Sequence, residues 1–493
     1  MARPGPRDGA LRPARRRTVE LVLVLTALGA FALCLAMAGL QIDGRVPERF
    51  PLYVGVVSAA ALGLHVTLRL VAPWADPLPL PLATLLNGVG LTVIWGLHHV
   101  RGTDTNEADR QLAWTVIGTV LCCAVLLVVR RPQRLQRYPY LAAAGGLVLI
   151  LLPMLPVIGI EVFGARRWIG IGDFTVQPSE FASILLIVFL AAYLGLKREV
   201  LGTAARQLRL GRVKIFSLPR MRDLGPMTAA WGVAILLLVG TRDLGTSLVL
   251  FSVFLAMLYT ATGRKSWVGI GLAMFSVGAT AAYLMFWHVR QRVAIWLDPF
   301  GPDVYTEHGG SYQLVQGLFA LADGGLFGTG FGQGRASEIF ASDSDLILIS
   351  IGEKLGLTGL VAVILSLLLL AERGFRIALG SRDVFTKLML TGFAFLLAFQ
   401  VFVVLGGVTR LIPLTGLTTP FLAAGGSSLI ANWIGLGLWL RVSDSARRPA
   451  VLPLPTPAEH ATVTMRLSGA HTRAAENGRN GEVSSNTRAT PQG

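Results

Sequence analysis

Residues 384–408 read VFTKLMLTGFAFLLAFQVFVVLGGV, twenty-five residues with a single charge, Lys387, close to the start. At a rise of about 1.5 Å per residue such a helix reaches about 37 Å, more than the roughly 30 Å hydrocarbon core of a bilayer. Apolar residues occur at every phase of the run, with none of the alternation over about ten residues that marks a barrel strand. In lipid only helices and closed barrels satisfy the backbone, so this stretch reads as a membrane helix. Similar runs recur from Thr18 to Arg441 and predict twelve spans: 19–40, 51–71, 80–99, 111–130, 138–158, 179–196, 226–241, 243–261, 267–288, 345–371, 384–408 and 418–441. The seventh and eighth are short and parted only by Arg242, as in a bent hairpin. Composition agrees: 53% of the 493 residues are hydrophobic and 15% charged, against about 25% charged in soluble domains. Mean hydropathy is +0.61. The expected fold class is all-α, a polytopic integral membrane protein.

Charge orients the spans. The formal net charge of +16 would suggest nucleic acid in a soluble protein. Here the basic residues collect in alternate loops: Arg15–Arg17, Arg130–Arg137, Lys197–Arg222, Arg264–Lys265 and Arg373–Lys387. That bias is topological and marks the cytoplasmic face. An even count of spans puts both termini there. Residues 1–18 form a basic cytoplasmic tail, 19–441 the membrane domain, and 442–493, poor in large apolar side chains, a disordered cytoplasmic tail. The first apolar run is too long for a signal-peptide core and is expected to be retained. Cys34, Cys122 and Cys123 all lie in apolar runs without metal spacing, and read as packing residues. No internal repeat is evident, which speaks against an inverted-repeat transporter.

Four outward stretches carry the polar residues. GARRWIGIGDFTVQPSEFASILL, residues 164–186, places Pro178 and Glu180 at a helix start, where proline and an acid suit the first turn and its dipole. Capping and an interfacial tryptophan would explain it structurally, but Glu180 enters an apolar run, and an ionisable group at membrane depth points to function. TRDLGTSLVLF, residues 241–251, sets Arg242 beside Asp243, which a surface pair at a helix start would also explain. The loop 289–344 is the longest polar interval; its GGLFGTGFGQG, residues 324–334, lacks the following Gly-Lys-Ser/Thr of a phosphate loop and reads as a flexible loop or a tight reversal. GGVTRLIPLTGLTTPFLAAGGSSLIANWIGLG, residues 406–437, has the prolines and small residues of irregular backbone against protein or a wet cavity. Arg166, Arg167, Arg242, Arg292 and Arg410 could gather round a diphosphate, which arginine binds in bidentate fashion. A nearby carboxylate could then take a proton from a sugar hydroxyl.

Together these stretches resemble the SEDS family, the polytopic RodA, FtsW and SpoVE proteins of the bacterial cell envelope. GARRWI with QPSE, DLGTSLVL, YQLVQ with GGLFGTGFGQG, SDLILISIGEKLGLTG, and IPLTG with PF and GGSS follow the family's order from about Gly164 to Arg441. Two spans beyond the family's usual ten resemble actinobacterial RodA-type members. The resemblance implies a peptidoglycan glycosyltransferase that polymerises lipid II at the outer face and works with a class B penicillin-binding transpeptidase. An acceptor sugar 4-hydroxyl would attack C1 of the donor and expel undecaprenyl diphosphate. It implies a base at Asp303, the second acid of Asp298-Pro299-Phe300-Gly301-Pro302-Asp303, with Asp298 as alternate. Arg166, Trp168, Gln177, Ser179 and Glu180 would line the cavity. Asp243, Tyr312, Gln313, Asp345, Glu353, Ser427 and Ser428 fall on the remaining motifs. The cofactor expectation lies between none and a divalent cation, magnesium or manganese, on the diphosphate; no metal ligand is assigned.

Departures accompany the match. Ser183 stands where the family has lysine, Lys354 where it has a second glutamate, Ala423-Ala424 for Ser-Tyr, and Phe340 for proline. The missing cation at 183 could have held a diphosphate or tuned Asp303; Lys354 could return that charge from another helix. Two alternatives therefore stand beside the enzyme: a lipid-linked-precursor transporter, and a non-catalytic scaffold for a transpeptidase.

Overall fold

The computed structural model describes residues 13–102, 106–156, 158–162, 165–171, 174–202, 206–210, 213–218, 232–233, 235–236, 240, 243–305 and 310–448. The chain is compact as one unit through Arg447, and a second unit begins at Arg448. Fourteen α-helices occur among the described residues: α1 Pro13–Asp43, α2 Phe50–Val71, α3 Pro79–Val100, α4 Asn106–Val128, α5 Pro139–Leu151, α6 Pro178–Gly202, α7 Leu244–Thr262, α8 Lys265–Met285, α9 Trp287–Leu297, α10 Pro302–Tyr305, α11 Tyr312–Asp323, α12 Ile347–Gly380, α13 Val384–Val408 and α14 Gly426–Arg447. Nine of these are long and apolar enough to cross a membrane. The protein is a multi-pass membrane protein, as expected.

The bundle is built around α3. Its residues are buried over most of its length, whereas α2 buries one stripe, Tyr53, Val57, Ala61, Leu64 and Leu68, at helical spacing. α1 packs on α3, α2 on α4, and α14 on α4. Close approach explains Gly90: a Cβ there would lie 2.3 Å from the Leu422 carbonyl oxygen. α8 stands at the edge, with Gly271 its one buried residue against Leu255.

Several expected boundaries move. The fifth span is only α5 followed by a short 3-10 turn, Leu152–Met154, because Pro153 cannot continue the helical hydrogen bonds. The last span begins at Gly426 rather than 418, since Pro420 and the left-handed Phe421 (φ 63°) hold the preceding segment irregular. The span at 226–241 lies almost wholly outside the described residues, as do residues 1–12 and 449–493 of the two expected tails. Helix extends into both tails. Arg17 bonds Glu20 and the Ala75 carbonyl, and Glu20 lies 2.7 Å from His65 Nδ1. Arg441 donates to the Val71 carbonyl at 2.7 Å, Asp444 accepts from Trp74 N at 2.9 Å, and Arg447 reaches Asp76 at 2.5 Å. These buried pairs keep the chain helical to Arg447 and place the starts of α1 and α3 and the end of α14 at one end of the bundle.

The other end carries structure the helical reading did not foresee. β1 Gly159–Val162, β2 Ala165–Ile171 and β3 Phe174–Val176 form an antiparallel sheet in that order, with Ile160 opposite Trp168 and Ile169 opposite Val176. Away from that end, a second hairpin, β4 Arg206–Leu210 with β5 Val213–Leu218, follows the far end of α6 in the basic interval 197–222. Of the two expectations for the glycine run, flexible loop or tight reversal, the structure has the second, seated on α12. Thr329 N donates to Glu353 O at 2.8 Å and Leu357 N to Gly325 O at 2.9 Å. α12 kinks there at Gly356, where φ is 70° and a side chain would be strained. A Cβ on Gly328 would sit 2.3 Å from the Lys354 carbonyl oxygen.

Candidate active site

Pro178 opens α6 at its first position, the one place in a helix where proline loses nothing. The residue before it, Gln177, donates its backbone N–H to Ser427 Oγ at 2.8 Å, joining α6 to the start of α14. Asp243 caps α7 by accepting from Thr246 N at 3.3 Å. Its other oxygen lies 3.4 Å from both Gln177 Nε2 and Ser179 Oγ. Arg167, from β2, approaches the same carboxylate at 3.8 Å and stacks over the Trp168 ring at 4.6 Å. Its Nε is buried and has no hydrogen-bond partner among the described residues.

Arg292 reaches in from α9, donating to the Leu414 and Thr415 carbonyls at 3.1 and 3.0 Å. It interacts electrostatically with Arg167, Asp243 and Asp345. Burial pushes the Asp345 carboxyl above its ordinary range, and Arg167 and Arg292 pull it back only in part. Burial first, then Arg167, lowers the Arg292 guanidinium. Ser428 Oγ accepts from Thr418 Oγ1 at 3.0 Å, and Gln400 Nε2 ties the Thr418 carbonyl at 2.9 Å. The result is a charged layer drawn from five segments of chain: two arginines, two aspartates and the serines that fix them.

Beneath this layer a cavity of about 750 Å³, including its open part, runs between α6, α7, α12, α13 and α14. Glu180, Ser183, Gln400 and Asn432 supply its polar wall; Phe393 and Trp439 are among its apolar residues. Among the described residues the Glu180 carboxylate has no hydrogen-bond or ion-pair partner. Ser183 spends its hydroxyl on the Ser179 carbonyl at 2.8 Å. The cavity thus combines an acid and amides with an apolar body, under a cationic rim.

The remaining predicted residues go elsewhere. Arg166 is exposed and pairs with Glu161 at 3.0 Å, away from Asp243. Arg410 is a clamp: it sits at φ 62°, donates to the Trp296 and Leu297 carbonyls at 3.1 and 3.3 Å, and its own carbonyl accepts Trp296 Nε1 at 3.0 Å. Glu353 is fully buried outside the cavity, accepting from Arg335 N at 2.6 Å and Ala336 N at 3.0 Å. Lys354 lies 3.0 Å from Glu353 and also bonds the Gln333 carbonyl, so it returns no charge to position 183. Both residues brace the glycine turn, outside the walls of the Glu180 cavity.

Asp303 stands exposed on α10, one turn whose Val304 and Tyr305 N–H groups bond Gly301 O. It has no hydrogen-bond or ion-pair partner among the described residues and is not a wall of the Glu180 cavity. Asp298 is exposed at the end of α9. Ser311 Oγ ties the Pro299 carbonyl at 2.5 Å, and Tyr305 meets Tyr312 edge-on at 5.4 Å, closing this loop on α11. Gln313 Nε2 donates to Phe340 O at 2.7 Å. Arg242 lies outside the described residues.

Sequence reasoning missed the residues that hold the outer loop from the first spans. Gln41 Oε1 accepts Phe331 N at 2.8 Å, His98 lies 2.8 Å from Asp343, and Arg101 donates to Ile339 O at 2.9 Å. The available signal was a polar cluster, His98, His99 and Arg101, at the outward end of an otherwise apolar run.

Comparison with known proteins bears on the family and the fold. The cell cycle protein family FtsW/RodA/SpoVE matches residues 78–448. Peptidoglycan glycosyltransferase RodA of Mycobacterium tuberculosis is 43% identical over 444 residues, 89% of this chain and 92% of the relative. Stage V sporulation protein E of Bacillus subtilis is 33% identical, over 69% and 87% of the two chains. A chain from a structure describing coordination of polymerization and crosslinking by a peptidoglycan synthase complex aligns with TM-score 0.52 at 25% identity, covering 80% of this chain and 98% of that one. The Rod shape determining protein RodA of Thermus thermophilus shares the fold, with TM-score 0.53 at 24% identity over 76% and 98%. By its motifs, its fold and these similarities, the chain belongs to the FtsW/RodA/SpoVE family.

Proposed function

We propose that this chain is a peptidoglycan glycosyltransferase that polymerises lipid II into glycan strands at the outer face of the cytoplasmic membrane. One observation carries the reading: a membrane-embedded, largely apolar cavity lies under a layer in which Arg167 keeps a buried donor, unpaired among the described residues, beside Arg292. That is the shape of a site for an amphiphile with an anionic head. Arg167 and Arg292 grip the diphosphate, since guanidinium groups match its oxygens. Asp243, held by Gln177 and Ser179, orients Arg167. Asp303 takes the proton of the acceptor 4-hydroxyl as that oxygen bonds to donor C1. The C1–oxygen bond to the diphosphate breaks, and undecaprenyl diphosphate leaves with its charge on the two arginines.

A divalent cation, magnesium or manganese, belongs to this scheme only as a companion of the substrate diphosphate. Among the described residues no three His, Cys, Asp or Glu side chains converge on a metal position, and no step here passes through one. The chain works beside a crosslinking partner, a class B penicillin-binding transpeptidase. Both termini face the cytoplasm, in line with the basic loops.

The cavity argues against a transport path. Its deepest walls, Leu370, Phe393 and Trp439, are eight to ten residues short of the inner ends of their helices; about 12–15 Å of helix lies beyond them. One observation favours the scaffold reading: among the described residues Glu180 has no cation partner, and Lys354 is committed to Glu353. The deciding experiment gives purified full chain, with and without its transpeptidase, lipid II in membranes and measures glycan polymer. Polymer from the wild type and a loss of about 10²–10⁴-fold in Asp303→Ala support the reading. No polymer under either condition overturns it, and full activity of Asp303→Ala removes Asp303 as the base.

A further inference from the structure

Between Arg335 and Ile347 the chain crosses the outer end of the bundle as mostly irregular backbone and delivers Asp345 to Arg167 and Arg292. Its own sequence does not dictate that course. Ser342-Asp343-Ser344-Asp345 favours turns in general, with no register of its own. Ala341, at φ 56°, adopts a left-handed conformation that a residue with a side chain keeps only when its surroundings over-determine it.

The surroundings are α3. His98 Nε2 lies 2.8 Å from Asp343 Oδ2, with the two side chains 15% and 16% exposed. Arg101 donates to Ser337 O at 2.5 Å, Ile339 O at 2.9 Å and Ser342 Oγ at 2.7 Å. Burial opposes charge on Asp343, but the His98 hydrogen bond and charge, with a backbone hydrogen bond and Arg101, together outweigh it, and the carboxyl titrates below its ordinary range. His98 Nε2 is therefore the donor and the carboxylate the acceptor. From Asp343 the constraint passes two ways. Asp345 is two residues on, and the Asp343 carbonyl accepts Ala424 N at 2.8 Å, three residues before the Ser427 that binds Gln177.

We propose that His98 is a positioning residue for the polymerisation reaction. Through Asp343 it holds Asp345 and the Ser427–Ser428 start of α14 in the register at which Arg167 and Arg292 meet the diphosphate, a role that rests on the glycosyltransferase reading. It acts through hydrogen bonding at a distance from the reacting atoms. A glutamine, which keeps an N–H donor, substitutes for it; an alanine does not.

The test uses the full chain in nanodiscs with lipid II. His98→Ala lowers kcat/KM by about 10–100-fold, the scale of an ångström misplacement, and His98→Gln returns it to within about threefold of wild type. Amide exchange across 336–346 quickens in His98→Ala and stays at the wild-type rate in His98→Gln. If His98→Ala does not fold, Asp343→Asn, with a weaker acceptor, supplies the same comparison against His98→Gln. Activity of the alanine variant within about twofold of wild type, or an equal loss in both variants, overturns the proposal. If the wild type makes no polymer, the glycosyltransferase reading fails and the exchange data alone decide whether His98 sets the loop. Equal exchange in all three proteins then rejects that too.

Discussion

Glu180 and Glu353 are both acids inside a membrane protein, both fall on family motifs, and the structure treats them in opposite ways. Glu353 is saturated: two backbone N–H groups and the Lys354 ammonium surround it, and the glycine turn is wrapped on the result. Glu180 faces a cavity with no partner among the described residues. A buried charge whose hydrogen-bonding capacity is filled serves the fold, because moving any ligand in would break bonds already made. One left with capacity beside open space can serve a substrate. The same contrast separates Arg410, spent on carbonyls of α9, from Arg167, whose Nε is unspent.

The comparison breaks most visibly at Glu353. Glu353→Ala strands Lys354 and two N–H groups, and should cost about 3–5 kcal/mol of stability, read as a lower unfolding midpoint in detergent. Glu180→Gln should leave that midpoint nearly unchanged while lowering polymerisation by about 10–100-fold, the weight of a charged hydrogen bond. Equal stability losses in the two variants would erase the distinction. Arg167→Ala should raise the KM for lipid II by about tenfold, while Arg166→Ala, whose partner is an exposed glutamate, changes it by less than about twofold.

Two smaller effects sharpen the picture. Ser183→Lys brings a cation into the Glu180 wall; a rise in activity of about two- to fivefold, measured on lipid II, would mark the serine as a loss of electrostatic support. The raised Asp345 carboxyl has a definite sign. Its contribution to stability is present below the ordinary carboxylate value and is lost as pH rises through its folded value. Asp345→Asn should therefore flatten the decline of the thermal midpoint above about pH 4. An unchanged slope would mean that other groups set it.

How far the sequence reached depended on the physics of each feature. Membrane helices such as α13 declare themselves locally, because bilayer thickness imposes length and apolarity on contiguous residues. The helix starts at Pro178 and near Asp243 were likewise readable from a few neighbours, though not that Asp243 caps the second. The sheet of β1, β2 and β3 was not, since short strands on a membrane protein's surface carry too few residues for a clear alternation. Nor was the extension of α14 to Arg447, which depends on Asp76 from another part of the chain.

For the site, sequence determined the inventory: an outward set of arginines and acids, with the motif order that names the family. It did so because residue type and order are conveyed by the chain itself. Tertiary structure alone decided which of them share space. It joined Arg167 to Asp243 and Arg292, sent Arg166, Arg410 and Glu353 to structural work, and left Asp303 on an exposed turn of the outer loop. It also brought His98, from a helix that looked merely apolar, to Asp343. Hydrogen-bond saturation is set by partners that only folding brings together, as Arg335 and Ala336 are brought to Glu353, so whether a buried charge is spent or free emerges only when the chain has folded.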